Sequence, residues 1–133
     1  MVKLVSDKLI INKSAIKIFN FLGDFNNFEK LMPDQIINWK STELACSFTI
    51  KGMADIGMRI EEKNHHTHIH IKSDGKVPFD FDMMFFLEAI DEEKANVHIE
   101  LEADISTMLL MMAKKPLQNL INIMVSKLQE HHE

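Results

Sequence analysis

The sequence predicts an α+β fold, a seven-stranded antiparallel sheet with two short helices after its first strand and a long C-terminal helix. Three observations lead there. Apolar residues recur at helical spacing in two places only, residues 14–33 and from Met108 onward. Over residues 35–104 the apolar period drops to two, with turn residues between the alternating runs. The 133 residues, 46% hydrophobic and 26% charged, suit one hydrophobic core, so one domain is expected over 1–133.

Residues 3–12 are β-prone, with Leu9 and Ile11 on one face and Ile10 on the other, and read as the first strand. Ser14 is placed to cap a helix carrying Ala15, Ile16, Ile18, Phe19 and Leu22 on one stripe. Asp24 caps a second helix with Phe25, Phe28, Leu31 and Met32, and Pro33 closes it by disfavouring helical backbone at the residue before it. Six strands follow at 35–41, 45–51, 54–62, 66–73, 79–90 and 95–104, with the clearest loops at 73–76 and 91–93. Leu117, Leu120, Ile121, Met124 and Leu128 share a stripe of the last helix, with Lys127, Gln129 and Glu130 off it. Pro116 removes the bond that the Met112 carbonyl would accept, which predicts a kink or break between 108–115 and the rest.

Strand parity sorts the side chains. Phe79, Phe81, Met83, Phe85, Leu87 and Ala89 alternate with Asp80, Asp82 and Glu88, so the odd positions face inward. Met84 and Phe86 break the outer row, which predicts cover on both faces there. Ala95, Val97, Ile99, Leu101 and Ala103 repeat the pattern against Asn96, His98, Glu100, Glu102 and Asp104. Ile56, Met58 and Ile60, then Thr67, Ile69 and Ile71, and Cys46, Phe48 and Ile50 fall on the same side. One face of the sheet is nearly free of charge and needs a cover, which the terminal helix supplies.

This order of elements resembles the helix-grip fold of the START-like superfamily, also called SRPBCC or Bet v 1-like. The resemblance spans essentially the whole chain. It is most specific in SAIKIFNFLGDFNNFEKLMP, residues 14–33, with further similarity in KGMADI from Lys51 and LEADI from Leu101. It implies a curved sheet gripping the long helix, often around an apolar ligand cavity. The family includes lipid carriers, polyketide cyclases and co-chaperone domains, so fold alone does not choose a task. Residues 41–45 lack the glycine-rich loop of the plant allergens, and the chain is shorter than a full lipid-transfer START domain.

Chemistry-bearing residues are few. In HHTHIH, residues 65–70, His68 and His70 lie two apart on a strand, about 6.6 Å along one face, a spacing that suits two zinc ligands. A hairpin register with Ile71 opposite Phe79 would set His70 beside Asp80 and His68 beside Asp82. Solvated cross-strand pairs are the preferred reading, because metal centres sit in clefts with supporting groups. No metal and no cofactor is expected. Asp80, Asp82, Glu100 and Glu102 read as solvated, and Cys46, with no histidine on its face, as a small buried hydrophobe. The chain has no tyrosine, and no catalytic residue is assigned.

With net charge -5 and Arg59 as its only arginine, the chain lacks the basic stripe of a nucleic-acid or anionic-membrane binder. No apolar run approaches the roughly 20 residues that cross a bilayer. One cysteine and no apolar leader-like run near the start point to the cytoplasm. Of ten methionines, Met32, Met53, Met58, Met83, Met108, Met111, Met112 and Met124 are placed on or near the inner surface, as adaptable ligand wall or as plain filling. Residues 108–112 read as a lid or as a docked broken helix. The expected function is non-enzymatic binding of a small, mostly apolar molecule between sheet and helix. Its walls are Trp39, Phe48, Met58, Ile69, Phe81, Met83, Phe85, Val97, Ile99, Leu117 and Met124, with Thr67 and Asn38 as polar handles. Alternatives are a cyclase or dehydratase, and an interaction module with a filled interior and an exposed apolar patch.

Overall fold

The computed structural model describes residues 1–64 and 66–131. Its elements are β1 (Val2–Val5), β2 (Leu9–Ile11), α1 (Ala15–Leu22), a 3-10 helix (Phe25–Leu31), β3 (Ile36–Ser41), β4 (Ala45–Ile50), β5 (Ala54–Asn64), β6 (His68–Ser73), β7 (Asp80–Ala89), β8 (Ala95–Asp104) and α2 (Thr107–Glu130). The strands form one antiparallel sheet in the order β1-β8-β7-β6-β5-β4-β3, with β2 also on β8. It is the α+β arrangement read from the sequence, an open curved sheet with a long C-terminal helix.

Helix starts follow the side chains that cap them. Ser14 Oγ accepts from Lys17 N at 3.2 Å, and Ser106 Oγ does the same for Leu109 N at 3.2 Å. Asp24 Oδ1 accepts from Asn26 N at 2.9 Å. The second helix is 3-10 rather than α, which explains why Phe25, Phe28 and Leu31, three apart, are all buried: a three-residue turn stacks such positions on one face.

Two expectations are corrected here, and of the kink or break expected at Pro116 the break does not occur. The first strand is two, because Ser6 leaves the ladder to satisfy β8 directly: its N–H donates to the Ile99 carbonyl at 2.8 Å and its Oγ accepts from Ile99 N at 2.7 Å. The β6–β7 register is Ile71 with Met83, four residues from Ile71 with Phe79, because the connecting loop folds back onto β5, where Asp74 N donates to the Gly57 carbonyl at 2.9 Å. A four-residue shift keeps every side chain on its face. Helix α2 runs unbroken through Pro116. Pro116 and Met112 are both exposed, so water can take the bond that the Met112 carbonyl loses.

The inner face of the sheet, α1, the 3-10 helix and one stripe of α2 make the core. That stripe is Ala113, Leu117, Leu120, Ile121, Met124, Val125 and Leu128. Side-chain bonds fasten α2 beyond its second turn. Gln118 Nε2 donates to the Val5 carbonyl and Gln129 Nε2 to the Ile10 carbonyl, each at 2.9 Å, while Lys127 Nζ reaches the Met32 carbonyl at 2.8 Å. Ala89 and three of the eight methionines assigned to the inner surface, Met108, Met111 and Met112, are instead exposed.

Candidate ligand site

The inner face is closely packed. Ile69, Phe85, Val97, Ile99 and Met124 have no surface that water can touch, so no water-sized void borders them. Phe28 fills the space over Phe85 edge-on, with centroids 5.6 Å apart. Phe48, Met58, Phe81, Met83 and Leu117 are also buried, but Phe81 keeps 7% of its surface and Leu117 5%. Trp39 is half-buried against the same core, at the β3 edge of the sheet.

A bulge puts Trp39 there. Ile37 pairs with Thr49 and Lys40 with Ser47, so Asn38 and Trp39 together oppose Phe48. Asn38 takes the left-handed backbone that the extra residue needs, at φ 56°. Its Nδ2 donates to Thr49 Oγ1 at 3.3 Å, and that hydroxyl donates to Asp55 Oδ1 at 2.7 Å, pinning the bulge. The Trp39 ring then stacks on Phe48, with centroids 5.4 Å apart and planes at 15°. Its Nε1–H is buried and has no hydrogen-bond partner among the described residues. An unsatisfied buried donor is unfavourable by about 1–3 kcal/mol.

Polar chemistry elsewhere on this face is sparse. Ser6 is the one buried polar residue among those described; its hydroxyl accepts from Ile99 N and donates to the Asp7 carbonyl, so it is already used. Burial pushes the Cys46 thiol up to about 12, so it is a neutral S–H rather than a nucleophile. The two expected polar handles are corrected: Thr67 is exposed in the β5–β6 turn, where its N–H donates to the Asn64 carbonyl at 3.1 Å, and Asn38 is exposed at the bulge. Parity failed at Thr67 because the strand begins two residues later than expected, at His68.

His68, His70 and His98 lie on the outer face. His70 Nε2 is 2.7 Å from Asp82 Oδ1, with Lys72 Nζ 3.6 Å from the same oxygen. His68 instead meets Asn64 and Phe86, and His98 stacks on Phe86 at 5.0 Å, so His68 and His70 do not converge on Asp82. The rings of His68 and His98 provide the outer cover expected for this part of β7. His65 lies outside the described residues. Two of the surface grooves among the described residues lie elsewhere. One of about 990 Å³ runs between Asn12, α1, the β7–β8 turn and Leu128, and none of the expected wall residues lines it. The other, about 530 Å³, lies beside Asn38, Gly57 and Lys76 and touches only Phe48 of them.

No family model and no curated protein matches the sequence. Solved structures do. A START superfamily protein from Mycobacterium smegmatis superposes with a TM-score of 0.70 over 96% of this chain and 94% of its own, at 12% identity. The chain has the START-like, helix-grip fold. Norcoclaurine synthase from Thalictrum flavum, solved with dopamine and hydroxybenzaldehyde, shares this START-like fold with a TM-score of 0.71 over 99% of this chain and 90% of that one, at 9% identity. The di-domain ARO/CYC protein BexL from the BE-7585A biosynthetic pathway matches over 98% of this chain and 46% of its own, with a TM-score of 0.73 at 12% identity.

Proposed function

We infer that residues 1–133 form one START-like domain that binds a small, mostly apolar molecule carrying a hydrogen-bond acceptor. The ligand lies at the Trp39 end of the space between sheet and α2. The observation that supports this is the buried Nε1–H of Trp39, a donor without an acceptor in an apolar wall. A carbonyl or ether oxygen meets it while the apolar body lies on Phe48, Met58, Phe81 and Leu117. Ile69, Met83, Phe85, Val97, Ile99 and Met124 form the packed back of the site. Met58, with Met32 and the half-buried Met53, gives this end side chains that repack around different shapes.

The same wall argues against a proton-transfer role, since none of the described carboxylates or imidazoles is buried on the inner face. A cytoplasmic setting fits the free, buried Cys46. The test is native mass spectrometry against paired compounds, aromatic ketones and the hydrocarbons of the same shape. The ketones are expected to bind, and Trp39→Phe to weaken them about three- to tenfold while leaving the hydrocarbons unchanged, as loss of one hydrogen bond implies. Failure of every compound to bind overturns the reading. The filled interior around Ile69 and Phe85 would then favour an interaction module.

A further inference from the structure

The first two turns of α2 are apolar on both sides. Ala113 and, one turn further on, Leu117 face the core, as expected of a covering helix. On the opposite side Met108, Met111 and Met112 are 78%, 82% and 74% exposed. Residues at i, i+3 and i+4 share one helix face, so the three thioethers form a single apolar tip. Lys115, three and four residues further on, continues that face, and Lys114 flanks it. Both lysines are exposed, and neither forms an ion pair among the described residues.

Charge is segregated along the chain. Residues 105–129 carry three lysines and no carboxylate, in a chain of net charge -5. The overall negative charge, which argues against an anionic partner, therefore hides a helix of the opposite sign. Among the described residues the side-chain hydrogen bonds from α2 to the strands begin at Gln118, so the methionine tip is held there by its own Ser106 cap and its inner stripe.

We propose that the methionine tip of α2 docks on an anionic lipid bilayer surface, with Met108, Met111 and Met112 in the interfacial layer and Lys114 and Lys115 on the headgroup phosphates. Three features select this occupant. The stripe is convex, so it enters a soft surface rather than receiving a peptide. Three side chains are far short of the roughly 800 Å² per partner that a stable dimer buries. Lysines one turn behind the apolar tip, about 6 Å along the axis, match an apolar layer beneath a charged one. The docking is peripheral, since no helix among the described residues is long and apolar enough to cross a membrane.

Flotation with vesicles of phosphatidylcholine alone, and of phosphatidylcholine with phosphatidylglycerol, tests the proposal. The protein is expected to float with the anionic vesicles only. Met108→Gln, Met111→Gln and Met112→Gln combined should reduce binding about tenfold or more, and Lys114→Gln with Lys115→Gln similarly, the latter mimicked by salt. All five side chains are exposed, so circular dichroism should show each variant folded as the parent. Three results would overturn it: no binding to either vesicle, equal binding by the triple methionine variant, or a dimer in solution that the same variant turns into a monomer.

Discussion

Cys46 shows how burial decides chemistry at a single residue. With its pKa pushed up to about 12, it should resist iodoacetamide at pH 8 in the folded protein and react once denaturant exposes it. Fast labelling of the folded state would contradict its placement. Glu100 is shifted the other way. Lys3 Nζ donates to it at 2.7 Å and His98 lies 3.0 Å from its other oxygen, holding the carboxyl below its ordinary range. A carboxyl depressed by folding adds stability above its unfolded pKa, near 4.5, and loses that contribution as pH falls through the folded value. Glu100→Gln should therefore lower Tm at pH 7 and lower it by less at an acid pH below the unfolded value, where the folded-state carboxyl begins to take up its proton. An equal loss at both pH values would mean that packing, not charge, holds Glu100. Residue identity alone showed that Cys46 is buried and that the carboxylates of β8 face outward. It did not show the Trp39 bulge, because a left-handed Asn38 leaves no mark in a period-two pattern.

Elements obey the same logic with more at stake. Alternation in β7 and β8 revealed which face is buried, since one charged side chain on the wrong face would be costly. Register was not legible, because it depends on the β6–β7 loop, whose return to β5 is fixed by backbone contacts. Gly57 marks that contact: a Cβ there would lie 2.3 Å from the Asp74 carbonyl oxygen. Gly57→Ala should lower stability by about 1–3 kcal/mol through forced displacement of the loop, read by urea denaturation. Unchanged stability would show that the loop does not rest on β5. Pro116 poses the converse case. It sits exposed in an unbroken helix and withholds a backbone donor. Pro116→Ala should raise stability by up to about 3 kcal/mol, the usual helix-interior penalty of proline. A lower Tm would mean that the interruption shapes the path of α2 over the sheet. The methionines of the first two turns were read as inner surface because a sequence stripe shows that residues cluster, not which side the core is on.

In the whole molecule, a START-like sheet and helix enclose a closely packed interior. At the β3 edge, an indole donor stands unpaired among the described residues. The overall architecture was legible because it rests on periodicity summed over many residues. The position of the proposed site was not, because it turns on one bulge and on how completely Phe28 fills the space over Phe85. Trp39 is the only tryptophan, so a single indole N–H resonance in a nitrogen-15 correlation spectrum reports on the site. Titration with an aromatic ketone should move that resonance downfield and leave the outer-face histidines unmoved, whereas the matching hydrocarbon should not produce the downfield shift. An indole signal that stays fixed through a panel of such ketones would contradict the account.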